Sequence, residues 1–414
     1  MATSKSLSPE QAVDEYFDML IKSRFIEMFN SYPRSIPLSE LLSENKKGQW
    51  GTDPLFDETD KYVIKTSHME YNGIIHYESA VRRQISDKKF DLNALSYGDI
   101  LVEKSGGTKN HHVGYACVYL SDLKTVANNF VLILTPNGEV EPRFIHTQIR
   151  LMYERGEFSD CFNKTTGIEN LKIQSYLSKL VCKPPILEQK AFVQFLEQVD
   201  KTKLLMKQCF LKFDQLVKSR FIEMFGSPDN NVKHFPVESL EQLSIGKLTY
   251  GIAASAIDYD GEIRYIRITD ITENGGLNDD VKSSDEFDEK FILNDGDILF
   301  ARSGATVGKT FQYLSKYGKS IYAGYLIRSV PDRSKVLPDY LFYSTKSAYY
   351  ENMVNALKRG ATQPNINAQQ YSAMKFLVPP MDFQREFVEF VQQVDKSKFI
   401  ITSKWTISRI CCVH

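Results

Sequence analysis

Phe17-Asp18-Met19-Leu20-Ile21-Lys22-Ser23-Arg24-Phe25-Ile26-Glu27-Met28-Phe29 returns nearly letter for letter as Phe213-Asp214-Gln215-Leu216-Val217-Lys218-Ser219-Arg220-Phe221-Ile222-Glu223-Met224-Phe225, displaced by 196 residues (17 to 213). A period close to half of 414 residues means two copies of one unit. Other words keep nearly the same offset. Gly98-Asp99-Ile100-Leu101 matches Gly296-Asp297-Ile298-Leu299, and Pro184-Pro185 with Gln189, Phe192 and Val193 matches Pro379-Pro380 with Gln384, Phe387 and Val388. Insertions between the matched blocks therefore almost cancel.

The chain is long enough for two ordinary domains. Apolar residues make up 42% and charged residues 25%, which is the composition of a globular protein and excludes a disordered one. No run approaches a membrane span, and Met1-Ala2-Thr3-Ser4-Lys5-Ser6 lacks the apolar core of a secretory signal, so a cytoplasmic location is expected. The six cysteines have no zinc-ligand spacing and are expected to be reduced thiols without metal. A net charge of −1 neither proposes nor excludes nucleic acid.

One kind of repeated word predicts long helix. Neither Gly nor Pro interrupts residues 188–225, and apolar residues recur on a heptad. One seam takes Phe192, Val199, Met206 and Phe213, and the other Phe195, Thr202, Cys209 and Leu216. Four such heptads make a rod of roughly 55 Å. The second copy begins with Phe387, Phe390, Val394 and Ile401 and then decays at Lys404 and Ser408. Its missing half, Phe17 and Leu20, stands at the other end of the sequence. This is the signature of a circularly permuted repeat in which residues 9–29 and the C-terminal helix rebuild the second rod, with the termini near each other.

The other kind predicts α+β units. Lys61–Thr66 and Arg264–Thr269 alternate as strands, and Asn72-Gly73 and Asn274-Gly275 mark turns. Each Gly-Asp word opens a short apolar strand that ends in a Gly-containing loop carrying a cation. The boundaries expected are a helical segment 1–33, a first unit 34–180, a central helical region 181–228, a second unit 229–376 and a C-terminal helical region 377–414.

Enzymatic motifs fail on spacing. Gly304-Ala305-Thr306-Val307-Gly308-Lys309-Thr310 has three residues between its glycines where a P-loop needs four, and Thr310-Phe311-Gln312-Tyr313-Leu314 alternates like a strand. Lys183-Pro184-Pro185 and Val378-Pro379-Pro380 lack the Asn or Asp that amino-methyltransferases place before Pro-Pro, so these prolines are expected to open helices. The pair His111-His112 reads as a polar loop tip and not as a metal site. No catalytic residue is expected.

What remains are loops rich in side chains able to read base edges or grip phosphate: Lys104, Ser105, Thr108, Lys109, Asn110 and His111 in the first half, and Arg302, Ser303, Thr306 and Lys309 in the second. Lys358, Arg359, Gln363 and Asn365 form a further group in the second half. Their composition alone is also that of solvated loops.

Taken together, Gly296–Gly304, the loop Gly360-Ala361-Thr362-Gln363-Pro364-Asn365-Ile366, Pro379-Pro380 with Gln384, and Phe387 through Lys398 resemble the specificity subunits of type I restriction-modification systems over nearly the whole chain. The resemblance implies two α/β target-recognition domains, each reading one half of a bipartite asymmetric DNA site. Two long antiparallel coiled-coil helical regions would separate them in a pseudo-two-fold, circularly permuted repeat.

It further implies a non-catalytic subunit whose helices dock two methyltransferase (M) subunits, with restriction/translocase (R) subunits also bound. S-adenosylmethionine, ATP and Mg would sit on those partners. The docking helices would be marked by Phe192, Phe195, Val199, Met206, Phe213, Phe387, Phe390 and Val394. The first half departs from the pattern, with Lys104-Ser105-Gly106-Gly107 for Arg302-Ser303-Gly304-Ala305 and Thr166-Gly167-Ile168-Glu169-Asn170-Leu171 for the Thr-Gln-Pro-Asn-Ile form. Different halves should read different bases. A protein-only scaffold and a nucleotide-hydrolysing enzyme are the rival readings.

Overall fold

The structure is a computed structural model that describes residues 9–107, 111–165, 168–358 and 364–410. The chain divides into two compact units: a first unit, Phe17–Lys203, and a second that comprises Leu204 onward together with the residues before Phe17. Both are α+β.

Their sheets share one topology. In the first unit the strands run Leu42–Lys47, Val131–Pro136, Ile100–Glu103, Ala116–Val118, and in the second Thr249–Tyr250, Leu326–Ser329, Ile298–Ala301, Thr310–Gln312, all antiparallel. Each unit adds one parallel pair, Lys61–Ile64 with Thr125–Ala127 and Arg264–Ile266 with Ser320–Tyr322. Each also adds a short antiparallel pair, Ile36–Pro37 with Leu180–Val181 and Val237–Ser239 with Lys375–Leu377.

The Gly-Asp words explain themselves in this frame. Gly98 and Gly296 both sit at φ 94°, a left-handed conformation that a Cβ would strain. The following Asp99 and Asp297 carboxylates accept the Ser96 and Asn294 amides at 2.8 and 2.7 Å and close the turn. The strands opened by these turns are buried on both faces, which is why they read as unbroken apolar runs. Ile100 and Val102 face a helix-backed core while Leu101 faces a separate one, and Ile298 and Phe300 against Leu299 and Ala301 repeat the arrangement.

The central helix, Ile186–Phe225, is 40 residues long, opens directly after Pro184-Pro185 and ends at Gly226. In the first unit its start packs against the helix Pro9–Phe29, where Phe25, Phe29, Phe144 and Phe192 form an aromatic quartet with centroids 4.8–5.5 Å apart. In the second unit Phe221, Phe225, Tyr340 and Phe387 form the same quartet at 4.9–5.6 Å, joining the end of the central helix to the start of Met381–Ile410. Ion pairs Arg220–Glu386 (2.8 Å) and Lys398–Asp214 (2.5 Å) show that this second pairing is antiparallel.

The helical seam needs one correction. Buried positions run Phe192, Leu196, Val199, Met206, Phe210, Val217 and Met224, so the second stripe lies one residue beyond the expected Phe195, Thr202, Cys209 and Leu216. Phe210 and Met224 stand on this stripe where the expected one would place Cys209 and Glu223, and these large apolar side chains turn it inward although it also carries Lys203. Phe387, Val391 and Val394 repeat the pattern. Phe195, Phe213 and Phe390 are half-buried against the two helix-backed cores. All eight residues expected to mark docking helices therefore face the chain's own interior, wholly or in part. On the opposite face of the central helix Leu204, Leu205, Leu211, Leu216 and Ile222 stand exposed.

No described helix is long and apolar enough to cross a membrane. Among the described residues no group of three or more His, Cys, Asp and Glu side chains is placed to hold a metal ion, and Cys117, Cys161, Cys182 and Cys209 are free thiols.

Candidate nucleic-acid interface

In the second unit the strand Ile298–Ala301 delivers Arg302 to the surface. Its amide donates to Tyr325 O (3.1 Å) and its carbonyl accepts from Ile366 (2.8 Å), so the residue is pinned between two neighbouring segments. Ser303 and Asn365 then pair antiparallel. The Arg302 guanidinium lies over the ring of Tyr250 at 4.7 Å and its Nε donates to Asn365 Oδ1 at 3.3 Å. Tyr250 is fastened in turn, its hydroxyl accepting the Ala368 amide at 3.0 Å. Arg302, Asn365, Tyr250 and the exposed Tyr325 thus form one surface of cation, amide and aromatic groups.

The other expected residues of this unit are turned elsewhere. Ser303 is buried, and Thr306 Oγ1 donates back to Ser303 O at 3.1 Å. Lys309 is paired with Glu273 at 2.6 Å. No helix begins at Lys309: Gly304–Thr306 is a single 3-10 turn and Thr310–Gln312 a strand, so the P-loop geometry is absent here. Lys358 ends the helix Ala348–Lys358, while Arg359 and Gln363 lie outside the described residues.

The first unit rebuilds the frame with other side chains. Lys104 donates its amide to Phe130 O (2.9 Å) and its carbonyl accepts from Leu171 (2.8 Å), as Arg302 does with Tyr325 and Ile366. Ser105 Oγ donates to Asn170 Oδ1 at 2.8 Å, which makes Asn170 the counterpart of Asn365. Lys47 faces Leu132 where Tyr250 faces Ile327, so a lysine replaces the aromatic shelf. Burial, and then the charge of Lys47, hold the Lys104 ammonium below its ordinary pKa. Thr108, Lys109 and Asn110 lie outside the described residues.

His111 and His112 are not a bare loop tip. His111 stacks on Tyr71 at 3.8 Å, and His112 stacks on Phe162 at 4.7 Å while its Nδ1 sits 2.9 Å from Glu169. Flat rings find partners in an aromatic-rich surface, and composition could not show which. Behind them, Glu103 is buried beside Glu169, and among the described residues its Oε2 has no hydrogen-bond partner. Burial first and the neighbouring Glu169 carboxylate next push the Glu103 carboxyl up to about 7, against a bond from the Gly107 amide.

Sequence reasoning missed Tyr250, Asn170, Glu103 and Lys47. Setting Leu171 on Ile366 at the repeat offset would have matched Asn170 with Asn365, whereas Tyr250 meets Arg302 only through the sheet.

Comparison with known proteins bears on this frame. The family described as "Type I restriction modification DNA specificity domain" matches residues 245–408, covering most of the second unit. The StySPI type I restriction enzyme specificity subunit of Salmonella potsdam is 24% identical over 328 residues, covering 72% of this chain and 68% of its own length. The EcoKI specificity subunit of Escherichia coli is likewise 24% identical, over 332 residues, with the same two coverages. A chain solved in work on complex assembly and conformational transition of the type I restriction-modification system shares the fold. Its TM-score is 0.50 at 15% identity, covering 90% of this chain and 93% of that one. The duplicated words, the duplicated topology and these likenesses agree: the second unit matches the type I restriction modification DNA specificity domain, and over most of its length the chain is similar to specificity subunits of type I restriction-modification systems.

Proposed function

We propose that this chain reads double-stranded DNA for a type I restriction-modification complex, with residues 34–180 and 229–376 as target-recognition domains that each take one half of a bipartite, asymmetric site. One observation carries the reading. The two units share strand order and register, yet the same loop position presents Arg302 on Tyr250 in one and Lys104 beside Lys47 in the other. A scaffold with merely solvated loops has no need to hold a guanidinium over an aromatic ring, whereas base reading gains from a restrained donor. Loop residues 104–111 of the first unit and, in the second, Arg302 and Asn365 are the contacts proposed.

The chain itself carries no chemistry in this reading. Methyltransferase subunits, two of them, bring S-adenosylmethionine, and restriction/translocase subunits bring ATP and Mg, in the cytoplasm. The exposed apolar residues Leu204, Leu205, Leu211, Leu216 and Ile222 of the central helix are where a partner helix would dock.

The test is Arg302→Ala in the assembled complex. Specific binding should weaken by about 1–3 kcal/mol with non-specific binding little changed. A uniform loss over all sequences, with a shallower salt dependence, would assign the residue to phosphate. DNA affinity indifferent to salt would instead favour the protein-only scaffold.

A further inference from the structure

Deepening the reading of Arg302 as a base-contacting residue, and resting on it, we propose that Tyr250 is the positioning residue that sets specificity in the second unit. It holds the guanidinium as a flat, two-pronged donor for the major-groove edge of a guanine. Three separate segments converge to make this device. Tyr250 comes from the edge strand Thr249–Tyr250, Arg302 follows the strand Ile298–Ala301, and Asn365 and Ala368 come from the segment paired against Ser303.

The geometry divides the donors of Arg302. The guanidinium carbon sits over the Tyr250 ring, 4.7 Å from its centroid, and Nε is committed to Asn365. Among the described residues, the two terminal nitrogens have no hydrogen-bond partner. A guanidinium in that state offers two parallel N–H groups, which match the O6 and N7 acceptors of guanine and no other base edge. Restraining the plane beforehand reduces the rotamer freedom lost on binding.

The ring cannot swing away cheaply. Its hydroxyl accepts the Ala368 amide, and Ala368 begins a short helix capped by Asn367, whose side chain accepts from the Gln370 amide at 2.9 Å. Tyr250 remains 40% exposed, so the shelf beneath Arg302 lies at the surface.

The first unit shows the alternative. With Lys47 at the register position of Tyr250 and Lys104 at that of Arg302, two ammonium groups replace a stacked guanidinium. Ammonium groups are point charges without a plane to orient, and suit phosphate better than a bidentate base contact. Guanine reading through this loop position is therefore assigned to the second unit alone.

The experiment uses the full chain assembled with its methyltransferase subunits, selection from a randomised duplex pool, and sequencing of the bound fraction. Arg302→Ala should erase a guanine preference at one position of the consensus. Tyr250→Leu should reduce preference at that same position by roughly 3- to 30-fold, leaving the preferences at the other positions unchanged. Tyr250→Phe, which keeps the ring, should retain most of the preference. A consensus untouched by Arg302→Ala overturns the base-contact reading and the proposal with it. Loss of the guanine in Arg302→Ala but not in Tyr250→Leu overturns the positioning role alone. So does a Tyr250→Leu protein that binds all duplexes less tightly, since that is the result of a merely structural role.

Discussion

Gln189 and Gln384 make the same three hydrogen bonds in different units. Gln189 donates to Pro184 O (2.8 Å) and Glu139 O (3.5 Å) and accepts from the Glu141 amide (2.9 Å). Gln384 donates to Pro379 O (2.8 Å) and Lys335 O (3.0 Å) and accepts from the Leu337 amide (2.8 Å). Both are fully buried. Each ties the start of a long helix to the start of the helix that backs its sheet. Gln384→Leu strands three backbone groups, so the second unit should lose at least about 1–3 kcal/mol of stability. Denaturant unfolding of the full chain measures this, and hydrogen exchange should show the Leu337 amide newly labile. A midpoint equal to that of the unsubstituted protein would contradict the assignment.

The aromatic quartets predict a graded response. Phe387→Ala removes a ring with no exposed surface that touches both Phe221 and Phe225, and should cost about 3–5 kcal/mol. Tyr340→Phe keeps the ring but loses the bond from its hydroxyl to Leu377 O at 3.0 Å, for about 1 kcal/mol. The counterpart Phe144 has no such hydroxyl, so only the second quartet can show this smaller step. Thermal unfolding of the two variants should rank them in that order.

Two buried groups give the first unit a pH dependence at both ends. Glu103 has its folded pKa raised to about 7, so the folded state holds a proton that the unfolded chain releases near 4.5. Its contribution to stability falls as pH rises from about 4.5 to 7 and is level above that. Glu103→Gln should stabilise the protein at pH 8, by at most roughly 3–4 kcal/mol, and leave it unchanged near pH 4. His146 behaves oppositely. Burial is the main cause holding its folded pKa down to about 4, and its Nε2 lies 3.0 Å from Ala116 O, so stability is lost as pH falls from 6.5 toward 4. Unfolding midpoints across pH 4–8 for Glu103→Gln and His146→Gln would separate the two.

The outward face of the central helix should tolerate charge without unfolding. Leu211 and Leu216 are 61% and 48% exposed, and Asp at both positions should move the unfolding midpoint by no more than about 0.5 kcal/mol equivalent. If the proposed docking holds, co-purification with methyltransferase subunits should be lost. Retained assembly would place the docking surface elsewhere.

If the proposed function holds, exchange of residues 235–376 for the matching segment of a type I specificity subunit should change one half of the recognised site and leave the other. Selection from a randomised duplex pool reads both halves at once. A change in both would overturn the assignment of one unit to one half-site.

The duplicated words, the helix-opening prolines and the Gly-Asp turns were all legible in the residues. Each is a local device: Pro sets φ, Gly permits a left-handed turn, and a carboxylate accepts its own turn amide. The tandem architecture and the long central helix follow from them. The inward stripe of that helix lies one residue off the expected one, because the large apolar Phe210 and Met224 stand on it where the expected stripe would place Cys209 and Glu223.

The candidate site was legible only as a set of loops. Tyr250 meets Arg302 across 52 residues of sequence (250 to 302), and Asn365 joins them from a third segment, through strand pairing that no periodicity encodes. Likewise Glu103 titrates near 7 because the fold buries it beside Glu169, 66 residues away (103 to 169). Local chemistry writes helices and turns into short words. Which side chains share a surface, and which charge is left without water, is decided when distant segments pack.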